Sequence, residues 1–243
     1  MKKLRIIKAS AVMLISFLIT NFAQGMWITS FGDTNQLENN KFIIENKINE
    51  NNECIEVNVS YPQLIPNTLK LINNEIKWWT DNWINDVKSI LEDYKKSGYI
   101  CNMKYELFSK FFVTLERDDL LSFYIDYYQF TGGAHGLTTR RAYTLDVKNG
   151  NKLKIKNLFK NGYDYKSFID KEIKKQVDAN KEKYFEGLEG FNGINDEVKF
   201  YINGDNLVIY YGQYEIAPYA SGIPEFNIPI QKFDGNFLYG KIK

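Results

Sequence analysis

The segment LLSFYIDYYQF, residues 120–130, most constrains the fold of this 243-residue chain. Its apolar and aromatic side chains fall on both alternating faces, whereas a strand with one face in water alternates apolar and polar residues. A strand of this composition needs cover on both sides. We therefore predict a central strand here, with a helix packed on one face and another layer on the other.

A long amphipathic helix is predicted before this strand. Apolar residues recur at steps of three and four, the spacing of a buried helix face. They are Leu69, Ile72, Ile76, Trp79, Trp83, Val87 and Ile90. Asn67 or Thr68 is placed to cap the first turn, and Gly98 to end the helix. We interpret the stripe as core-facing rather than as a platform for stacking sugars, because its spacing matches a buried face.

The remaining patterns predict further strands and a second helix. Alternating apolar residues predict strands at residues 54–60, 99–107, 111–115, 143–155, 198–211 and 226–230, with hairpin turns at residues 149–150 and 203–206. A second helix is predicted over residues 165–184. This order predicts an α+β fold, in which antiparallel sheets carry two main helices in two adjoining subdomains.

The first 25 residues have the build of a secretory signal peptide. Four basic residues accompany an apolar run from Ala9 to Ile19, and small residues follow at Ala23 and Gly25. The run is short for a membrane span, so a cleaved signal is favoured and an uncleaved anchor is the alternative. We expect an extracellular protein, or one held on the outer face of the cytoplasmic membrane. The Asn-rich residues 26–52 are predicted to be a polar linker.

The charge of the mature chain argues against a nucleic-acid partner. Loss of residues 1–25 removes four basic and no acidic side chains, which lowers the formal net charge from +1 to −3. The remaining lysines are interspersed with acidic residues, whereas nucleic-acid binding needs a clustered basic surface. A weakly acidic surface is compatible with a basic protein partner.

The two cysteines, Cys54 and Cys101, would both be exported to a compartment that permits disulfides. Strand alternation puts Cys54 on the face opposite Ile55 and Val57, while Cys101 shares the apolar face of Met103. This parity disfavours a bridge, unless Cys54 lies beyond the end of its strand.

The chain's only histidine, His135, lies in the segment TGGAHG, residues 131–136. A catalytic role would need a partner, and neither Asp126 nor Glu215 stands at a spacing typical of a catalytic motif. One histidine and two ill-matched cysteines disfavour a zinc site, and no metal or cofactor is predicted. We interpret the glycines as a tight turn that His135 braces by hydrogen bonds, or as a recognition loop at the end of the central strand.

A second loop, EIAPYASGIPEF at residues 215–226, contains the other candidate for recognition. Pro218 and Pro224 stiffen it, so an exposed Tyr219 would lose little entropy on binding. Tyrosine is also a favoured anchor at protein interfaces. The alternative is that Tyr219 packs across the end of the sheet.

Two stretches together resemble a family of adjoining extracytoplasmic bacterial domains. They are YQFTGGAHGLTTRRAYTLDVKNGNKLKIKNLF at residues 128–159 and LVIYYGQYEIAPYASGIPEFNIPI at residues 207–230. Such domains occur in the lysozyme-sensing anti-sigma factor RsiV and in the non-catalytic N-terminal part of the peptidoglycan deacetylase PdaC. The likeness covers residues 50–232. It implies a PdaC-like subdomain at residues 53–140 and an RsiV-like subdomain at residues 141–243.

The resemblance also implies an ectodomain without chemistry of its own. Its loops map onto Thr131, Gly132, Gly133, His135 and Gly136 in the first stretch, and onto Pro218, Tyr219 and Gly222 in the second. We hypothesise that the two loops lie close together and form a recognition edge. With eight residues before the apolar run and none after Lys243, we expect the binding module alone, without a sigma-binding or deacetylase domain.

The leading hypothesis is a non-enzymatic binding or sensory module of the cell envelope. Its expected partner is a lysozyme-like protein or a peptidoglycan-related ligand. One alternative is a cell-envelope hydrolase that uses His135 with Asp126 or Glu215. Another is a structural accessory that binds a second envelope protein through its strand edges.

Overall fold

The computed structural model describes residues 40–98 and 100–239, and its described residues from 41 onward group as one compact unit. The described part contains two α-helices, α1 at Lys70–Lys96 and α2 at Tyr165–Asp178. Its strands are β1 Ile43–Asn51, β2 Ile55–Leu64, β3 Tyr105–Glu116, β4 Leu120–Phe130, β5 Leu137–Asp146, β6 Asn151–Lys152, β7 Lys199–Asn203, β8 Asn206–Tyr210 and β9 Glu225–Pro229. Short 3₁₀ helices lie at Asn67–Leu69, Ile155–Leu158, Lys181–Lys183, Gly187–Glu189, Tyr219–Ser221 and Ile230–Phe233. The predicted signal peptide, residues 1–25, lies outside the described residues.

Six strands form the first sheet, in the spatial order β1-β2-β3-β4-β5-β6. Strand β4 lies between β3 and β5, which confirms the central position predicted from its two apolar faces. All neighbours are antiparallel except β2 and β3, which are parallel, so the predicted antiparallel sheet is in fact mixed. The reason is that helix α1 returns the chain to the end of the sheet where β2 began, and a crossover of this kind joins parallel strands.

Helix α1 packs on this sheet through a face close to the predicted one. Its buried residues are Ile72, Ile76, Thr80, Ile84, Val87 and Leu91. Ile90 was predicted to be buried but is 48% exposed, and Leu91 takes its place. From Ile72 to Ile84 the buried residues recur every four positions, slightly more than one helical turn of 3.6 residues. The buried face therefore turns gradually around the helix axis, and Thr80 and Ile84 are buried where Trp79 and Trp83 were predicted. The Trp83 ring instead packs edge-on against Tyr127, with centroids 5.0 Å apart.

The ends of the two helices differ from the predictions. Asn67 and Thr68 form a 3₁₀ turn instead of a cap, and the Thr68 hydroxyl donates a hydrogen bond to the Val147 carbonyl at 2.8 Å. Gly98 follows the end of α1 with φ 89°, as predicted. The second helix was predicted to reach residue 184 but ends at Asp178, because Asn180 has an extended φ of −145° and a separate turn follows.

The predicted linker at residues 26–52 is wrong for nine of its last ten residues. Residues 43–51 form strand β1, which pairs antiparallel with β2 along its whole length. This strand was not predicted because its residues are mostly charged or Asn. Such polar side chains are common in a strand at the edge of a sheet. Ile43 is buried at its start, while the following residues are mostly half-exposed or exposed.

Strands β7, β8 and β9 form a second, antiparallel sheet that shares a hydrophobic core with α2. Side chains of the first sheet hydrogen-bond β7. Ser122 Oγ accepts from Ile202 N at 2.9 Å, and Thr114 Oγ1 donates to Ile202 O at 2.7 Å. The second layer expected over β4 is therefore this sheet. Strand β5 crosses the predicted subdomain boundary at residue 140, so the first sheet extends into the second predicted subdomain.

A disulfide joins Cys54 to Cys101, with 5.2 Å between the two Cα atoms. The parity argument against this bridge fails because neither cysteine lies in a strand: β2 begins at Ile55, and β3 begins only at Tyr105. Ile55 pairs with Tyr105 at the start of the parallel ladder. The parallel pairing thus brings together the two segments that precede these strands, at the end of the sheet where β2 and β3 begin.

Candidate functional site

The first candidate loop connects β4 to β5 and is shaped by its glycines. Gly132 and Gly133 have φ angles of 102° and 96°, in the region that other residues rarely adopt. Gly136 is buried against the ring of Tyr128, where an added Cβ would lie 2.4 Å from ring carbons. The turn therefore depends on glycine both for its backbone conformation and for close packing. Thr131 and Gly132 are half-buried, and His135 is exposed.

The second candidate loop precedes β9 and contains a short 3₁₀ turn. Pro218 begins this turn, and the N–H of Gly222 ends it by donating to the Tyr219 carbonyl at 2.9 Å. The Ser221 hydroxyl donates to the Lys183 carbonyl at 2.8 Å and fastens the loop to the segment after α2. Tyr219 is half-buried, so part of its ring stays accessible.

The two loops meet through stacked rings. The imidazole of His135 lies on the Tyr219 ring, with centroids 3.7 Å apart and planes 16° from parallel. His135 Nδ1 is 3.1 Å from the Gly136 carbonyl oxygen, and Nε2 is 3.2 Å from the Tyr214 hydroxyl. The hypothesis that these loops lie close together agrees with this geometry, in which His135 contacts Gly136 of its own loop and both Tyr214 and Tyr219.

Tyr214 completes an exposed cluster of three rings, which we call the aromatic patch: His135, Tyr214 and Tyr219. The Tyr214 ring centroid is 5.8 Å from that of Tyr219 and 6.3 Å from that of His135. Tyr214 is 49% exposed and has a positive φ of 64°, which is uncommon for a residue other than glycine. Backbone strain of this kind is often found at functional sites.

Gln213 holds the second loop against the start of β5. Its side-chain oxygen accepts a hydrogen bond from the Thr138 N–H at 2.7 Å. Burial and the neighbouring Tyr214 raise the pKa of Tyr219, while a hydrogen bond with Gln213 opposes this shift. Tyr214 and Gln213 were not identified from the sequence. No local sequence pattern indicates the positive φ of Tyr214, and the hydrogen bond of Gln213 joins residues 75 positions apart.

The carboxylates considered as partners of His135 are engaged elsewhere. Asp126 accepts two hydrogen bonds from the Arg140 guanidinium, both at 2.7 Å. Glu215 accepts from the Gly212 N–H at 2.6 Å and pairs with Lys199. Neither carboxylate is among the hydrogen-bond partners that the structure gives His135. The geometry therefore does not assemble the hydrolytic site considered as an alternative.

Residues 40–98 and 100–239 contain no group of three or more His, Cys, Asp and Glu side chains positioned to hold a metal ion. In the same part of the chain, no helix has the length and apolar character needed to cross a membrane.

Comparison with known proteins finds relatives for both halves of the chain. Residues 48–138 match the family described as deacetylase PdaC, and residues 156–231 match DUF3298, a family of unknown function. The anti-sigma-V factor RsiV of Bacillus subtilis is 29% identical over an alignment of 198 positions, which covers 75% of this chain. The chain resembles RsiV. The match spans 66% of the length of RsiV, slightly less than two thirds.

Two solved DUF3298 structures share the α+β fold of this RsiV-like chain. One, from Bacteroides fragilis, has a TM-score of 0.57 at 22% identity and covers 82% of this chain and 95% of its own. The other, from Pseudomonas aeruginosa, also has a TM-score of 0.57, at 17% identity, and covers 84% of this chain and 97% of its own.

The aromatic patch combines residues from both matched regions. His135 lies in the PdaC region, whereas Tyr214 and Tyr219 lie in the DUF3298 region. The contact between the rings is therefore a contact between the two regions of the RsiV-like chain.

Proposed function

We propose that this chain is a non-enzymatic binding or sensory module of the bacterial cell envelope. Its recognition surface is the edge formed by Thr131, Gly132, Gly133, His135 and Gly136 of the first loop, with Pro218, Tyr219 and Gly222 of the second. Tyr214 extends this surface. The proposed location is extracellular or on the outer face of the cytoplasmic membrane.

The observation that carries this proposal is the stacking of His135 on Tyr219 at the surface. Rings that are already packed and hydrogen-bonded lose little conformational entropy when a partner binds, so they suit an interface anchor. Two exposed hydrophobic side chains, Met103 and Leu137, lie near the first loop. The Met103 Cε is 3.4 Å from the point that a Cβ added to Gly132 would occupy, and Leu137 directly follows Gly136.

We propose a lysozyme-like protein as the partner, and a peptidoglycan-related ligand as the second candidate. The resemblance to RsiV supports the first, since members of that family sense lysozyme. A net charge of −3 after loss of residues 1–25 is compatible with a strongly basic partner. The PdaC region supports the second, because the matched family is described as deacetylase PdaC and the resemblance is to the non-catalytic part of a peptidoglycan deacetylase.

A pull-down with the full chain separates these partners. Immobilised chain is incubated with purified lysozyme and, separately, with purified peptidoglycan. Retention of lysozyme at moderate salt supports the protein partner, and retention on peptidoglycan supports the ligand. Binding to neither contradicts the proposed function.

The variant His135→Ala distinguishes binding from hydrolysis. If His135 braces the loops, the variant retains its fold and weakens partner binding only partly. If His135 were a catalytic base, turnover of peptidoglycan by the chain would be measurable and the variant would abolish it. Detectable turnover that the variant removes would contradict a non-enzymatic module.

A further inference from the structure

A second concave surface lies between α2 and the glycine-rich segment that follows it. This groove has a volume of about 530 Å³ and shares no residue with the aromatic patch. That volume lies within the range of about 300–1,000 Å³ typical of small-ligand sites. Its apolar floor consists of Val177, Phe185 and Phe191, which are each half-buried.

Charged side chains of both signs line the groove along α2. Lys171 and Lys174 supply ammonium groups, and Asp170 and Asp178 supply carboxylates. Asp170 Oδ1 accepts from the Ile194 N–H at 2.7 Å, which fixes this carboxylate at the groove. A ligand that complements the lining therefore carries an apolar group together with both a carboxylate and an amine.

A buried polar atom lies beside the same floor. The Tyr211 hydroxyl is buried and has no hydrogen-bond partner within the described part of the chain. The Tyr211 ring packs edge-on against Phe191, with centroids 6.1 Å apart. Burial, followed by the negative charges of Glu215 and Asp170, raises the pKa of Tyr211, so its hydroxyl stays protonated and able to donate. Buried hydroxyls are usually hydrogen-bonded, so this one is an exception; Tyr211 lies behind Phe191 and is not among the residues that line the groove.

We propose that this groove binds a short peptide with a free carboxylate and a free amine. The peptide carboxylate is placed by Lys171 and Lys174, its amine by Asp170 and Asp178, and an apolar side chain by Phe185 and Phe191. Two charge signs and an apolar floor within one groove distinguish a zwitterionic peptide from a neutral glycan or a phosphate. The proposal stands independently of the partner assigned to the aromatic patch.

Calorimetric titration of the full chain with the tripeptide Ala-Leu-Ala, which has one amine, one carboxylate and one apolar side chain for the floor of the groove, tests this proposal. Matched probes are the same tripeptide with its N-terminus acetylated, and with its C-terminus amidated. We expect the free peptide to bind, and each modified peptide to bind at least 5-fold more weakly because one charged contact is lost. The double variant Lys171→Ala/Lys174→Ala should weaken the free peptide at least 5-fold, while Lys160→Ala, exposed and outside the groove, should leave its affinity unchanged.

Two results would overturn the proposal. One is the absence of measurable binding by any of the three peptides, or equal binding by all three. The other is occupation of the groove by a second copy of the chain: Leu188, in the wall segment, is 95% exposed. A concentration-dependent dimer in sedimentation that Leu188→Asp abolishes would assign the groove to self-association. Because the aromatic patch is tested with lysozyme and peptidoglycan, failure here leaves the proposed function standing.

Discussion

At the scale of single residues, the conformation of the first loop depends on the φ angle of each glycine and on the side chains that surround it. The sequence predicted a tight turn at residues 131–136, and the positive φ angles of Gly132 and Gly133 agree with it. It did not show that Gly136 is needed for a different reason, the approach of the Tyr128 ring. This contact depends on which side chain of β4 lies opposite Gly136. That depends on the register in which β4 pairs with β5, and the sequence alone does not show this register.

We expect Gly136→Ala to lower the free energy of unfolding by about 1–3 kcal/mol, the usual cost of overpacking. A Cβ at this position would lie 2.4 Å from the Tyr128 ring, so the ring or the loop must move. Denaturant unfolding measures the loss. In a Tyr128→Ala background the same substitution should cost much less, and an equal cost in both backgrounds would contradict the packing explanation.

Glu172 should make stability depend on pH. Hydrogen bonds from Lys175 at 2.7 Å and Lys232 at 2.6 Å lower the pKa of this carboxyl from its ordinary value of 4.5. A lowered folded-state pKa gives stability that is present above the unfolded pKa and is lost as the pH falls through the folded value. We expect Glu172→Gln to cost about 1 kcal/mol at pH 7, and the difference from the natural chain to shrink below pH 4.5.

Urea unfolding measured from pH 7 down to pH 3 checks this expectation, with the exposed Glu189→Gln as the matched control. A Glu172→Gln cost that stayed constant across this interval would show that the carboxylate's ion pairs do not matter.

At the scale of elements, patterns with strong periodicity were predictable and contacts between elements were not. The central strand β4, the long helix α1 and the β7–β8 hairpin follow from alternation, helical spacing and the Asn-Gly turn. Strand β1 escaped prediction because edge strands carry polar residues. The bridge between Cys54 and Cys101 escaped because strand parity applies only within strands, and the parallel start of β2 and β3 determines the contact.

The disulfide should contribute substantially to stability. It closes a loop of 47 positions, for which the loop-entropy relation gives about 4 kcal/mol. We expect the variant Cys54→Ser/Cys101→Ser to lose roughly this free energy of unfolding in urea. The natural chain under reducing conditions serves as the matched comparison, since it should unfold at a similar urea concentration. An unchanged transition in both would show that the bridge adds no stability.

At the scale of the whole molecule, a buried ion pair joins the two sheets beside the candidate site. The Arg140 side chain on β5 is 10% exposed and pairs with Asp126 on β4 and Glu225 on β9. Burial opposes its charge, but the hydrogen bonds and charges of these carboxylates outweigh burial and raise the pKa of Arg140. Asp126, considered from the sequence as a catalytic partner, thus has a structural role.

We expect Asp126→Asn to lower the free energy of unfolding by about 3 kcal/mol, because the buried Arg140 guanidinium then loses one of its two carboxylate partners. Thermal or urea unfolding measures this loss. Asp118→Asn breaks an ion pair with Lys41 in which the aspartate side chain is 82% exposed, so its cost should be far smaller than that of Asp126→Asn. Equal costs for the two variants would contradict the proposed role of Arg140 between the sheets.

The proposed recognition surface also belongs to the whole molecule, because its rings meet where the PdaC and DUF3298 regions touch. The sequence identified Tyr219 and His135 from two separate loops, and the fold places their rings 3.7 Å apart. Under the proposed function, a partner that contacts both loops binds only when the two regions are packed together.

The most direct test is the dissociation constant of the full chain for lysozyme, compared with that of Tyr219→Ala. Removal of an interface anchor typically costs at least about 2 kcal/mol, so we predict binding at least about 30-fold weaker. Trp78→Ala, which removes a 65% exposed aromatic side chain from α1, should leave the constant unchanged. Equal affinity of Tyr219→Ala and the natural chain would contradict the claim that the two loops form the recognition surface.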